Sequence, residues 1–286
     1  MRLYLAATHL GNWGKSALRQ LAPELANHRI GLLDSFWTLK ADALQAALSD
    51  HWTDQLDRVM DSGAHTFQQP QKLITRTAID QMVNAYLEYA LQARSRFRWF
   101  AELDVEATYG MTWVDGIATR MLESGLPTCR VWHRNRGMEA WKAHCKASEY
   151  VGLSLIDKGD NFDHLIALCK YAYQQGCKVH AFAATDFRRL LKLPVYSVDS
   201  TSWMLLGRYG IVWNFDPTRA LSTIKVKQLE KAITLDTGAA AIALGGRPGT
   251  YTQAEIELLP YTMKALSELC DFITEHWRKR GVVYDD

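Results

Sequence analysis

The stretch KVHAFAATDFRRLLKLPVYSVDS, residues 178–200, decides the fold class. It opens on an apolar run, Val179 to Phe182, that carries His180, and closes on a second, Val195 to Val198, that ends in Asp199-Ser200. Between them Ala184 to Leu193 is just long enough for a compact helix, with Thr185 and Asp186 as its start and Pro194 as its stop. Strand, short helix, and a second strand tipped by a carboxylate make one unit of a parallel α/β fold.

The unit recurs towards the amino terminus. The runs Leu3 to Ala7, Ile30 to Leu33, Val59 to Met60, Trp99 to Leu103, Cys129 to Trp132 and Tyr150 to Leu153 are each closed or followed by polar, chemically capable residues. In order these are Thr8-His9, Asp34-Ser35, Asp61-Ser62-Gly63, Asp104, His133 and Gly152-Leu153-Ser154. Segments with helical spacing lie between runs, such as Ala78 to Ala93 and Met138 to Ala147. Eight such units predict a (β/α)8 TIM barrel over residues 1–213, with its reactive residues gathered at one mouth.

Residues 214–286 read as a C-terminal helical extension packed on the barrel. Asn214-Phe215-Asp216-Pro217 reads as a turn, and Trp203 to Tyr209 as the start of the helix after the eighth strand. Val226, Leu229, Ala232 and Ile233 share one helical face, and Gly245 to Gly249 form a loop. Gln253 to Trp277 is helical in pattern, with a kink or restart expected at Pro260.

Composition narrows the classes. With 33 basic and 31 acidic residues the formal net charge is only +2, so no global charge marks a nucleic-acid binder. Three local clusters, Arg94/Arg96/Arg98, Arg130/Arg134/Arg136 and Arg278/Lys279/Arg280, fit either a phosphate backbone or a solvated surface. Five cysteines without a C-x-x-C pair argue against a disulfide framework and a zinc ribbon, and Cys129, Cys145 and Cys169 are expected to be buried thiols. No run approaches the roughly 18 apolar residues of a membrane span, and no leader segment is evident, so a cytoplasmic location is expected.

Asp61 and Asp199 carry the chemical reading. One carboxylate can attack the anomeric carbon of a sugar and form a covalent glycosyl-enzyme, while a second shuttles the proton. A lone strand-end aspartate serves helix capping or ion pairing equally well, and Asp34 stays open between those roles and catalysis. Gly63 permits close backbone approach, Phe67 offers a stacking face and Gln68 a hydrogen-bonding amide. His180, beside the Asp199 strand, suits orienting a carboxylate or holding a phosphate. His65 and His9 read equally well as solvent-facing loop residues.

The stretch Asp61-Ser62-Gly63-Ala64-His65-Thr66-Phe67-Gln68 resembles the Asp-Ser-Gly-Gly-Phe-Gln motif of the tRNA-guanine transglycosylase superfamily, with Ala64, His65 and Thr66 where that motif has one glycine. Leu103-Asp104 resembles the strand end with the family's base-reading aspartate. Tyr150-Val151-Gly152-Leu153-Ser154 resembles its glycine-rich strand end beside the base. Val198-Asp199-Ser200-Thr201-Ser202-Trp203 resembles the stretch with its nucleophile. His133 falls where the tRNA enzymes place a glutamine. The family's Cys-x-Cys-x-x-Cys zinc site is absent from the sequence, and the chain looks most like the DNA-modifying branch, the phage DpdA-type DNA 7-deazaguanine transglycosylases.

The resemblance implies exchange of guanine in DNA for a free 7-deazaguanine base, such as 7-cyano-7-deazaguanine, with no metal and no redox cofactor. Asp199 is implied as nucleophile, Asp61 as general acid/base and His180 as an orienting or phosphate-contacting residue. Ser62, Gly63, Phe67, Gln68, Asp104, His133 and Gly152 are implied around the base. It also implies a flipped-out or single-stranded target and DNA held by basic clusters, in host cytoplasm if the gene is a phage's. Several members are dimers, so a homodimer is compatible with it. Three alternatives stay open: the same exchange on tRNA or another RNA, a glycosidase in which water resolves the intermediate, and a catalytically silent nucleic-acid-binding paralogue.

Overall fold

The computed structural model describes residues 1–6, 19, 22–23, 25–39, 48, 55–64, 75–154, 162–184, 186–200, 203, 211–218, 220–225 and 253–285. All eight apolar runs are strands: β1 (Arg2–Ala6), β2 (Ile30–Ser35), β3 (Arg58–Asp61), β4 (Trp99–Ala101), β5 (Thr128–Trp132), β6 (Tyr150–Ser154), β7 (Lys178–Phe182) and β8 (Ser197–Ser200). They pair in sequence order and close, β8 against β1, so the sheet has no edge. Every pairing around the ring is parallel, so all carboxyl ends open on one side.

Side-chain alternation along these strands separates two apolar compartments. Tyr4, Ala6, Leu33, Val59, Trp99, Ala101, Cys129, Tyr150 and Tyr196 form one buried cluster, the barrel interior. Their neighbours Leu3, Leu5, Ile30, Leu32, Val151, Leu153, Val179, Ala181 and Val198 belong to a second cluster shared with the outer helices. Continuing the inward parity to the strand ends brings Asp61, Val131, Ser154, Phe182 and Asp199 to the mouth. The same parity puts Asp34 outside, where its carboxylate accepts from Arg58 Nη2 at 2.6 Å; Asp34 is an ion-pair residue.

The described connecting helices are α1 (Arg76–Gln92), the short α2 (Glu106–Tyr109), α3 (Met111–Glu123), α4 (Gly137–Ala147), α5 (Phe162–Gln174) and α6 (Phe187–Leu190). Thr75 caps α1, its hydroxyl accepting from the Ala78 N–H at 3.3 Å. The helix expected over Ala184 to Leu193 is only the four residues of α6, because the chain must reach β8 within a few residues.

Asn214, Phe215 and Asp216 are not a turn: they end β9 (Ile211–Asp216), which pairs antiparallel with β10 (Ala220–Lys225). The turn begins one step later, where the Asp216 carboxylate accepts from the Thr218 N–H at 2.8 Å. Of the kink or restart expected at Pro260, the restart does not occur: the final helix, α7 (Gln253–Arg278), runs through it. Its apolar stripe, Met263, Leu266, Leu269, Cys270 and Ile273, joins the cluster that holds Met1, Leu3, Leu5, Val195 and Val198. The extension is therefore packed on the barrel, on the β8–β1 side of its shell. The expected helical face Val226 to Ile233 and the loop Gly245 to Gly249 lie outside the described residues.

Among the described residues no helix is long and apolar enough to cross a membrane. The five cysteines are all buried free thiols, as their sequence contexts predicted for Cys129, Cys145 and Cys169.

Candidate active site at the barrel mouth

A cavity of about 150 Å³ opens at the carboxyl ends of the strands, lined by Asp61, Glu102, Asp104, Val131, Ser154, Phe182, Ala183 and Asp199. Among the described residues, four of the eight that line it are carboxylic acids and none is basic. Such a wall accepts hydrogen bonds, and it forces its acids to share protons.

Asp61 shows that sharing. Burial, followed by the charge of Asp199 and with a smaller push from Asp104, raises its carboxyl to about 7, although the Gly63 N–H donates to Oδ2 at 3.2 Å. Gly63 reaches that position at φ +74°, where a Cβ would lie 2.6 Å from Ser35 Oγ and 2.7 Å from Trp37 Cβ. The turn itself therefore requires glycine at this position.

Asp199, the last inward residue of β8, is held from β7. The Ala183 N–H donates to Asp199 Oδ1 at 2.7 Å. To aim that donor, Ala183 adopts φ +54°, a left-handed conformation that a residue with a Cβ rarely takes. His180, fully buried, lies with Nε2 3.4 Å from the same Oδ1, while Nδ1 meets Ser197 Oγ at 2.9 Å. Trp99 and Phe182 pack edge-on against its ring at centroid distances of 4.9 and 4.5 Å. The Ala183 N–H thus holds Oδ1, and the His180 ring lies alongside without a hydrogen bond to it.

Asp104 lies beyond the end of β4, with Oδ1 2.8 Å from His133 Nε2. The ring N–H is not aimed at that oxygen, so the contact is an ion pair more than a hydrogen bond. Burial opposes charging of His133, but the carboxylates of Asp104 and then Glu106 outweigh it and raise the imidazole above its ordinary range.

Not every expected residue reaches the cavity. Ser62 is buried and structural: its hydroxyl donates to the Glu102 carbonyl at 3.4 Å and accepts from the Ala64 N–H at 3.3 Å. Gly152 does not line the wall either. A Cβ there would lie 2.6 Å from Phe182 Cε2, so the glycine makes room for the ring that does line it. Phe67, Gln68, His65 and His9 lie outside the described residues.

Sequence reading missed Glu102 and Phe182, absorbed into the apolar runs Trp99 to Leu103 and Val179 to Phe182. Inward parity from Val59, Cys129 and His180 finds Asp61, Val131 and Phe182. It does not find Glu102 or Asp104, because β4 ends at Ala101. Burial raises Glu102 to about 7 against the pull of Arg130, Arg136 and the Val131 N–H.

The arginine clusters are mostly engaged. Arg130 pairs with Glu102 and Asp115, and Arg136 with Glu106 and Asp115, all four contacts at 2.6–2.8 Å. Arg98 grips Asp57 at 2.7 Å, and the Arg94–Arg98 segment precedes β4, on the rim opposite the cavity. Arg278 and Lys279 both face Glu275. Arg134 is exposed after β5, on the cavity side. Among the described residues no group of three or more His, Cys, Asp and Glu side chains is placed to hold a metal ion.

The closed ring of eight parallel strands with helices outside defines a (β/α)8 barrel, and the acidic cavity lies at the end where such barrels carry their sites. A solved structure described as "Native KDPGal structure" matches 94% of this chain over 95% of its own length, with a TM-score of 0.46 and 10% identity. No family model and no curated protein matches the sequence.

Proposed function

We propose that this barrel is a base-exchanging transglycosylase that replaces guanine in DNA with a 7-deazaguanine base through a covalent glycosyl-aspartate. The observation that carries the reading is the Asp61–Asp199 pair: two strand-end carboxyls in one cavity, one raised to about 7 by burial and by the other's charge. Nucleophile and proton carrier need that division of roles. The sequence resemblance supplies the substrate class.

In the first step the Asp199 carboxylate attacks C1′ of the target deoxyguanosine. Its Oδ1 is held by the Ala183 N–H, so Oδ2 is the attacking oxygen. The C1′–N9 bond breaks, and the departing guanine takes the proton of Asp61. In the second step the incoming 7-deazaguanine gives its N9 proton to the Asp61 carboxylate as N9 bonds C1′ and the C1′–Oδ2 bond breaks. Both carboxyls return to their starting states, and two displacements at one carbon retain its configuration. Phe182 offers the stacking face, and Asp104, acceptor-only when ionised, suits the adjacent N–H donors of a guanine-type edge. A target base must leave the duplex stack to reach this cavity.

The direct test is to trap the intermediate. Protein mixed with guanine-containing single-stranded DNA and then denatured should carry a DNA adduct that maps to Asp199 and is missing in Asp199→Ala. An adduct on RNA alone would keep the chemistry and change the polymer. No adduct with either polymer, while exchange proceeds, would remove Asp199 as the nucleophile.

A further inference from the structure

The segment leaving β4 and the segment leaving β5 face each other through three acid–base pairs. Glu102 Oε2 accepts from Arg130 Nε at 2.7 Å, Asp104 Oδ1 lies 2.8 Å from His133 Nε2, and Glu106 Oε2 accepts from Arg136 Nε at 2.6 Å. The acids stand at alternate positions of Glu102-Leu103-Asp104-Val105-Glu106, and the bases at every third position of Arg130 to Arg136. Asp115 on α3 joins the outer rungs, accepting from Arg130 Nη2 at 2.7 Å and Arg136 Nη1 at 2.8 Å.

These contacts take over where the sheet stops. Glu102 N–H still donates to the Cys129 carbonyl at 3.0 Å, in continuation of the β4–β5 ladder. The next ladder bond would run from the Val131 N–H to the Glu102 carbonyl. That N–H donates instead to Glu102 Oε1 at 2.6 Å, so the backbone peels off β5 while the side chain keeps hold. The outer rungs are dry, with side chains of Glu102, Glu106, Arg130 and Arg136 no more than 8% exposed. The middle rung, Asp104, is 24% exposed and lines the cavity.

Buried ion pairs contribute little net stability once desolvation is counted, but they fix geometry. We propose that this three-rung ladder is a specificity device: Glu102, Glu106, Arg130, His133 and Arg136 are positioning residues that hold Asp104 as a fixed double acceptor. The cavity then takes heterocycles that present adjacent N–H donors, a ring N–H beside an exocyclic amine, and disfavours those that lack the amine. The inference rests on the base-exchange reading and adds to it the part of the fold that sets base choice.

The test uses the whole chain and free bases, read by calorimetric binding of guanine and of hypoxanthine, which lacks the exocyclic amine. Wild type should prefer guanine by about tenfold or more, the scale set by an unmatched buried polar group. Glu106→Gln and Arg136→Lys, both outside the cavity, should narrow that preference several-fold while thermal unfolding stays a single transition. Two variants are used so that the result survives misfolding of either. A preference unchanged in both, yet lost in Asp104→Asn, would overturn the ladder and leave Asp104 reading the base alone. Wild type that binds neither base would overturn the base-exchange reading itself, a different result.

Discussion

At the scale of single residues, Asp61 makes the sharpest prediction. Its carboxyl is raised to about 7 in the fold, above its ordinary range near 4, so folding favours its protonated form. The contribution is fully present below about pH 4 and is lost as pH rises through 7. Asp61→Asn, neutral at every pH, should therefore gain stability relative to wild type on going from pH 5 to pH 8, measured as the difference in Tm. A difference that does not grow with pH would mean that Asp61 ionises freely. Gly152 gives a steric prediction: Gly152→Ala must displace the Phe182 ring, costing about 1–3 kcal/mol in denaturant unfolding. An unchanged midpoint would show that the ring moves without cost. Asp61 and Asp199 were legible because each closes an apolar run. The roles of Ser62 and Gly152 were not, since both depend on neighbours far along the chain, the Glu102 carbonyl and the Phe182 ring.

At the scale of elements, α7 is part of the barrel's shell. Leu269 is buried in the cluster that contains Leu3, Leu5 and Val198, so Leu269→Ala should cost about 2–5 kcal/mol and lower the single unfolding transition of the whole protein. A separate early transition, with the barrel unaffected, would instead mark α7 as an independent attachment. All eight strands were readable from the sequence because inward and outward faces are both buried, giving continuous apolar runs. The strand β9 was not, because Asn214, Asp216 and Pro217 carry turn chemistry that a hairpin also uses at its bend. Helix α6 was recognised but overextended: its start and stop residues were visible, whereas its length is set by the distance to β8.

At the scale of the whole molecule, charge is spent internally. Arg98, Arg130 and Arg136 neutralise carboxylates, and the cavity itself is acidic. On the base-exchange proposal, DNA phosphates would be met around the mouth, where Arg134 is exposed, and not at these paired arginines. Association with DNA should weaken from low to moderate salt, but with a shallow slope that reflects few phosphate contacts. Binding insensitive to salt, measured by fluorescence anisotropy, would mean that phosphates are not contacted. Nothing in net charge, +2, disclosed this arrangement, because the pairing of Arg130 to Arg136 with Glu102 to Glu106 arises only when β4 and β5 lie side by side.

The central claim is base exchange through Asp199, and the most direct measurement is incorporation of labelled base. Purified protein is given radiolabelled guanine or a 7-deazaguanine with duplex DNA, single-stranded DNA or tRNA in separate reactions. The account predicts label in DNA and not in tRNA, abolished by Asp199→Ala. Label that enters none of the three polymers, or that enters DNA equally well with Asp199→Ala, would contradict it.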